Sequence, residues 1–108
     1  MDADRLCKIP FFSTLTLDQL ESVAGVCEEL EIEAGATLLR EGDFGYAMFA
    51  ITSGTASVVQ GDRVLRTLVP GDVFGEIAVF SGGRRSASVV ATSPMQLVTV
   101  LNRDMWRL

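Results

Sequence analysis

The residues best suited to chemistry lie in one segment, residues 74–89, which we call the cassette. The segment begins with an apolar residue, and Gly75 allows a turn there. A single carboxylate, Glu76, follows inside an apolar run. The segment then passes through Gly82-Gly83 to the adjacent pair Arg84-Arg85. Glycine lets backbone N–H groups approach an anion closely, and the first turn of a helix points such groups outward. Because a guanidinium can hold two phosphate oxygens at once, the cassette predicts an anion site.

The composition argues against several kinds of catalytic site. The chain has no histidine, which removes Ser-His-Asp chemistry, histidine-based metal sites and a histidine general base. Its only lysine is Lys8. Cys7 and Cys27 lack metal-binding spacing, so we expect buried or semi-buried thiols in a reducing compartment. Three aspartates of Gly-Asp turns are too dispersed for a calcium loop: Asp43, Asp62 and Asp72. We therefore expect neither catalysis nor a metal site.

Length, charge and composition are those of one soluble domain. The chain has 108 residues, of which 48% are hydrophobic and 21% are charged. A net charge of −5 argues against direct nucleic-acid binding, which needs a basic face. The apolar runs are far shorter than the roughly 20 residues of a membrane span, and no signal peptide is visible. We expect a cytoplasmic protein or a cytoplasmic domain of a membrane protein.

Two helices are expected before the first strand. Residues 2–8 begin with acidic side chains and end with a lysine, as the helix dipole favours, and Pro10 ends this helix. Apolar residues recur at helical spacing over Leu17–Val26. Thr16 is the expected N-cap of this second helix, and Gln19 is its capping-box partner.

After Glu28 the pattern changes to apolar and polar residues in alternation, which indicates a strand. Further β-prone runs are separated by glycine turns, at residues 37–40, 46–52, 55–60, 63–69, 86–91 and 95–101. Many short strands between turn signals indicate an antiparallel sandwich or barrel. One short helical turn is expected at residues 75–80. Asn102 is the expected N-cap of a helix that Leu108 cuts short, so we expect a fragment of a longer protein.

The motifs resemble those of the cyclic-nucleotide-binding domain family. This family includes cAMP-receptor transcription factors, regulatory domains of protein kinases A and G, and cyclic-nucleotide-gated channels. The most specific part is Phe-Gly-Glu-hydrophobic-Ala at residues 74–78, followed by Arg-x-Ala-Ser/Thr-Val at residues 85–89. Further matches extend over nearly the whole chain: Ile9-Pro10-Phe11-Phe12 with Leu15 and Leu20, Gly35 with Leu38-Leu39, Glu41-Gly42-Asp43, Met48-Phe49 with Ile51 and Ser53-Gly54, and Gly71-Asp72.

The resemblance implies a mainly β fold with flanking helices. The expected architecture is an antiparallel β-roll of the jelly-roll type, with a short phosphate-binding helix. The single domain, residues 1–108, would divide into a helical lead-in (1–27), the β-roll (28–101) and the start of a C-terminal helix (102–108).

The resemblance also implies roles for individual residues. Glu76 would accept a hydrogen bond from the ribose 2′-hydroxyl, and Arg85 would bind the cyclic phosphate. Ser86 lies where a hydroxyl can contact the base of cGMP, although a small strand residue is an equally good explanation. The remaining expected ligand residues are Gly75, which allows the turn, Ala78 and Ala87, whose backbone N–H groups join that of Ser86 around the phosphate, and the apolar Val73 and Ile77.

Two features depart from the family pattern. Arg84 stands where family members often have proline directly before the phosphate-binding arginine. We expect Arg84 to be a solvated neighbour that loosens the loop. The C-terminal helix that closes over the base would follow Leu108, so base contacts and lid movement are expected outside this chain.

These features predict a regulatory domain that binds a cyclic nucleotide monophosphate, with cAMP favoured and cGMP as the other candidate. One arginine and one carboxylate match the charge and the free ribose hydroxyl of such a ligand. An attached effector is the expected partner. Three alternatives stay open: a degenerate, ligand-free β-roll that acts as a scaffold or interaction module, a cupin-type enzyme, and a DNA-binding regulator whose binding module lies outside this chain.

Overall fold

The computed structural model describes residues 3–42, 47–75 and 87–101. Its helical part consists of α1 (Ala3–Leu6), a 3-10 helix (Pro10–Phe12) and α2 (Leu17–Val26). Pro10 does not directly terminate α1; it opens the 3-10 helix. A proline suits that first turn because the N–H that it lacks would have no partner within the helix.

The predicted capping box begins α2. The backbone N–H of Gln19 donates to Oγ1 of Thr16 at 3.2 Å, and the backbone N–H of Thr16 donates to Oε1 of Gln19 at 3.0 Å. These two bonds satisfy N–H groups that have no acceptor inside the helix. Leu20 and Val23 are the buried residues of α2, so the helix face that carries them packs against the rest of the domain.

Eight strands are present in the described residues, and they form two four-stranded sheets. They are β1 (Glu28–Ile32), β2 (Thr37–Leu39), β3 (Ala47–Ser53), β4 (Ala56–Gln60), β5 (Arg63–Leu68), β6 (Val73–Phe74), β7 (Ser88–Ala91) and β8 (Met95–Leu101). The first sheet has the order β1-β8-β3-β6 and the second has β2-β7-β4-β5. All strand pairs are antiparallel. Both sheets combine early and late strands, as the β-roll expected from the sequence requires.

The first sheet has an apolar cluster on each face. Val98 and Val100 of β8 pack with the helices in a cluster that includes Leu6 and Val23. Leu97, from the opposite face of β8, belongs to a second cluster with residues of the other sheet. This division follows from the alternation of side chains along a strand. The helices therefore cover the outside of the roll, and the second cluster fills its inside.

The sequence-based outline of the fold is largely confirmed. The helix at Leu17–Val26 and a strand in each predicted run are present, and the mainly β fold class is confirmed. β6 is an additional strand that the sequence pattern did not predict. The helical turn at residues 75–80 and the helix from Asn102 lie outside the described residues. Within the ranges described, no helix is long and apolar enough to cross a membrane.

Candidate functional site

The structure describes the two ends of the cassette. Val73 is half-buried in β6, and Gly75 follows that strand with a φ of +85°. This backbone conformation is rare for residues with a side chain and agrees with the expected turn. At the other end, half-buried Ala87 directly precedes β7. The other predicted ligand residues lie outside the described residues, and their roles stay predictions: Glu76, Ile77, Ala78, Arg85 and Ser86.

Phe74 anchors the first end of the cassette. Its exposed fraction is 6%, and its ring stacks on that of Phe49 with a centroid separation of 5.2 Å and an interplanar angle of 13°. The two residues lie opposite each other in the β3–β6 ladder. Stacked aromatic pairs contribute about 0.5–1.5 kcal/mol beyond the burial of their area. The two-residue strand β6 is thus held by side-chain packing as well as by its ladder.

A hydrogen-bonded turn precedes β6. The Asp72 carboxylate accepts the backbone N–H of Val69 at 2.8 Å, and the N–H of Asp72 donates to the Val69 carbonyl at 3.0 Å. Ile51 of β3 donates its N–H to the Asp72 carbonyl at 3.0 Å and accepts the N–H of Gly71 at 2.8 Å. The Asp72 side chain therefore shapes this Gly-Asp turn, as the sequence predicts.

Both ends of the cassette reach the same apolar interior. Phe74 and Val89 belong to one buried cluster, although they come from different sheets. Val89 is 3% exposed. The two ends of the cassette therefore meet one interior cluster from different sheets. This geometry fixes where the cassette starts and where it finishes.

Partly accessible apolar side chains adjoin that interior cluster. Leu38 and Leu39 of β2, Phe49 of β3 and Val58 of β4 are half-buried and pack against it. Side chains of this kind suit the apolar faces of a small ligand, because pockets are lined mainly by hydrophobic groups with few polar ones. They form part of the roll's inner wall.

Hydrogen bonds that the sequence did not predict hold the second end of the cassette. The backbone N–H of Glu41 donates to Oγ of Ser88 at 2.9 Å. Oε1 of Glu41 accepts the backbone N–H of Gly61 at 3.2 Å. Glu41 and Ser88 appeared in the sequence only as motif positions. The signal available was the hydroxyl residue at the start of a strand, where its side chain can satisfy a neighbouring backbone group.

The described charges form no second candidate site. Arg5 and Glu29 make an ion pair at 2.8 Å with half-exposed side chains, and such surface pairs contribute about 0–1 kcal/mol. Burial raises the pKa of the Cys27 thiol, which is free and half-buried like that of Cys7. Among residues 3–42, 47–75 and 87–101, no group of three or more histidine, cysteine, aspartate or glutamate side chains is placed to hold a metal.

A comparison with known proteins finds a family model that matches most of the chain. The family model of the cyclic nucleotide-binding domain matches residues 29–108. The cAMP-dependent protein kinase regulatory subunit of Colletotrichum orbiculare is 32% identical over 102 residues, which cover 93% of this chain and 26% of that protein. The cGMP-dependent protein kinase egl-4 of Caenorhabditis briggsae is 35% identical over 105 residues, which cover 92% and 14%. The chain thus spans about a quarter or less of these relatives.

Solved structures share the fold. The regulatory domain of Toxoplasma gondii PKA, crystallised with cAMP, superposes with a TM-score of 0.89 at 28% identity. That match covers 97% of this chain and 42% of the other. The regulatory subunit of a cAMP-independent protein kinase A from Trypanosoma brucei superposes with a TM-score of 0.85 at 26% identity, covering 91% and 38%. The same roll is thus present in a cAMP-bound protein and in one described as cAMP-independent.

Proposed function

Because this chain belongs to the cyclic nucleotide-binding domain family, we propose that it is a regulatory domain that binds a cyclic nucleotide monophosphate. Its predicted phosphate cassette lies within the matched residues 29–108. The observation that carries the proposal is the position of the cassette ends. Phe74 and Val89 lie in one buried cluster, so the segment with Glu76 and Arg85 begins and ends at the interior of the roll.

The proposed polar contacts are made to two parts of the ligand, the cyclic phosphate and the ribose. Arg85 binds the cyclic phosphate, and the backbone N–H groups of Ala78, Ser86 and Ala87 complete its cradle. Glu76 accepts the ribose 2′-hydroxyl. The charge-assisted contact between Arg85 and the phosphate is expected to contribute about 1.5–3 kcal/mol net. The proposed set also includes two larger apolar side chains: Val73 directly precedes the cassette in the sequence, and Ile77 lies near its start.

We favour cAMP as the ligand and keep cGMP as the other candidate. The relatives include both a cAMP-dependent and a cGMP-dependent kinase, at 32% and 35% identity. Ser86 supplies a hydroxyl that suits a guanine contact, whereas its small size also suits a strand. Competition between cAMP and cGMP for a fluorescent cyclic nucleotide distinguishes these ligands directly.

The effector is proposed to lie outside the chain. The relatives are several times longer than the matched segment, which leaves room for an attached output domain. Ligand binding biases such an output only as far as the ligand prefers one of two domain conformations. We propose that the chain itself performs no catalysis and acts through this population shift.

Replacement of the phosphate ligand tests the function. We expect Arg85→Ala to weaken the affinity for the cyclic nucleotide ten-fold or more, equivalent to at least about 1.4 kcal/mol. The matched control is Arg84→Ala, for which the loss should stay below about five-fold, as expected for a solvated charge. Titration calorimetry measures both. Equal affinities of wild type and Arg85→Ala would contradict the site.

A ligand-free scaffold is the second candidate function. The Trypanosoma brucei structure favours keeping it, because a protein described as cAMP-independent has the same fold at 26% identity. A thermal-shift measurement distinguishes the two candidates, since a ligand that binds only the folded state raises Tm. An unchanged Tm with millimolar cAMP and cGMP would favour the scaffold.

A further inference from the structure

Glu41 lies where three separate segments of the second sheet meet. It follows β2 closely in sequence, and its backbone N–H donates to Oγ of Ser88 at 2.9 Å. Its carboxylate oxygen Oε1 accepts the N–H of Gly61, in the turn between β4 and β5, at 3.2 Å. The residues that Glu41 joins are 47 and 20 positions away in the sequence. One residue therefore connects the end of β2, the β4–β5 turn and the start of β7.

The contact with Ser88 continues the β2–β7 ladder with a side chain. The register of that ladder pairs Leu39 with Val89, and Ser88 is the residue of β7 directly before that pair. The Ser88 hydroxyl takes the place of a backbone acceptor for the N–H of Glu41. The first residue of β7 is thereby held against the chain that leaves β2.

The start of β7 is held from its other side by β4. Ser88 pairs with Val59, the residue before the last one of β4. The exposed Glu41 carboxylate contacts the turn that follows β4, where it accepts the backbone N–H of Gly61 at 3.2 Å. Glu41 therefore restrains both neighbours of β7 at the point where the cassette ends.

We propose that Glu41 and Ser88 are positioning residues for the phosphate site. The proposal rests on the proposed function, because Arg85, Ser86 and Ala87 directly precede Ser88. A small displacement of the first residues of β7 moves the phosphate-binding atoms, and binding groups need neighbours that fix their geometry. Glu41 and Ser88 act through the start of β7, which residues 85–87 directly precede in the sequence.

Matched substitutions at Ser88 separate the hydroxyl from the shape of the side chain. Ser88→Thr keeps the hydroxyl, whereas Ser88→Val has nearly the shape of threonine and lacks it. We expect Ser88→Val to weaken cyclic-nucleotide affinity about three- to ten-fold and Ser88→Thr to stay within about two-fold of wild type. Both residues suit a strand, which keeps the variants folded.

The corresponding pair at Glu41 tests the carboxylate. Glu41→Gln retains an oxygen acceptor for the Gly61 N–H, and Glu41→Ala removes it. We expect the affinity to fall about three- to ten-fold in Glu41→Ala and to be mostly restored in Glu41→Gln. Glu31→Ala is the charge control, because Glu31 is exposed on β1 in the other sheet. Hydrogen exchange supplies a ligand-free readout: the Gly61 amide should exchange faster in Glu41→Ala.

Titration of cAMP and cGMP into wild type and variants decides the proposal. Weaker binding in Ser88→Val and Glu41→Ala, with recovery in Ser88→Thr and Glu41→Gln, supports it. Equal binding by wild type and all four variants would overturn the positioning role and leave the proposed function intact, even if Gly61 exchange changed. Absence of binding by wild type would overturn both and would identify the function as the failed premise.

Discussion

Gly54 lies so close to Met95 that no side chain fits between them. A β-carbon placed on Gly54 would lie 2.8 Å from both Cα and Cγ of Met95 and would collide with the carbonyl oxygen of Pro94. Hydrogen bonds join the same two turns, because the N–H of Thr55 donates to Oγ of Ser93 at 2.9 Å. The β3–β4 turn is therefore packed directly on the start of β8.

This contact makes Gly54→Ala more damaging than an equivalent change at Gly35. Both glycines have a positive φ, +86° at Gly54 and +88° at Gly35, but a β-carbon at Gly35 would meet nothing within 4 Å. Gly35→Ala should cost about 1–2 kcal/mol of unfolding free energy through backbone strain alone. Gly54→Ala should cost about 1–3 kcal/mol more, because the added atom overpacks the site. Urea unfolding measures both, and equal losses would contradict the steric contact.

Phe74 should be the cassette residue on which stability depends most among those described. Phe74→Ala removes a buried ring and its stacking on Phe49, so we expect a loss of about 3–5 kcal/mol in unfolding free energy. A double-mutant cycle with Phe74→Leu and Phe49→Leu isolates the aromatic contact, with an expected coupling of about 0.5–1.5 kcal/mol. A coupling near zero would show that the rings contribute only their buried area.

The capping box of α2 should contribute a measurable share of stability although Thr16 is exposed and Gln19 is only half-buried. Thr16→Ala removes the acceptor of the Gln19 N–H and should lower the unfolding free energy by about 1 kcal/mol. Thr14→Ala is the matched control, because Thr14 is exposed and precedes the helix. Thermal unfolding of the two variants gives the comparison. Similar Tm values for both would contradict the importance of the cap.

Local features of this chain were predictable from its sequence, and long-range ones were not. The Thr16–Gln19 capping box depends on residues three positions apart, so its pattern is visible in the sequence. β6 has only two residues and exists as a strand through its pairing with β3. The hydrogen bond between Glu41 and Ser88 joins residues 47 positions apart. No sequence period records such a contact, since the fold alone creates it.

In the candidate site, too, local features were predictable from the sequence and long-range ones were not. Gly75 was predicted as a turn residue because glycine favours conformations that other residues avoid, and its φ is +85°. The stacking of Phe74 on Phe49 depends on strand register, which the cassette sequence does not contain. The cluster that unites Phe74 and Val89 likewise requires two sheets to face each other. Motif residues predict the ligand chemistry, and the strands of the roll set the position of the two described ends of the cassette.

Cys27 should make the unfolding free energy of the chain depend on pH in the alkaline range. Burial raises the pKa of its thiol above the ordinary value of 9.0, so the folded chain keeps this proton to higher pH than the unfolded chain. Its contribution to stability is full below the unfolded pKa and is lost as pH rises through the folded pKa. We expect the unfolding free energy to decline above about pH 9 more steeply in wild type than in Cys27→Ser.

The rate of alkylation by iodoacetamide gives a second test of the Cys27 thiol, because only the thiolate form reacts. In the Cys7→Ser variant, which leaves only Cys27, the folded chain at pH 8 should react several-fold more slowly than the urea-unfolded chain. The difference should shrink as the pH rises through the folded pKa of Cys27. Its sulfur also donates to the carbonyl of Ala24 at 3.7 Å. Equal rates for folded and unfolded chains at pH 8 would show that burial does not protect this thiol.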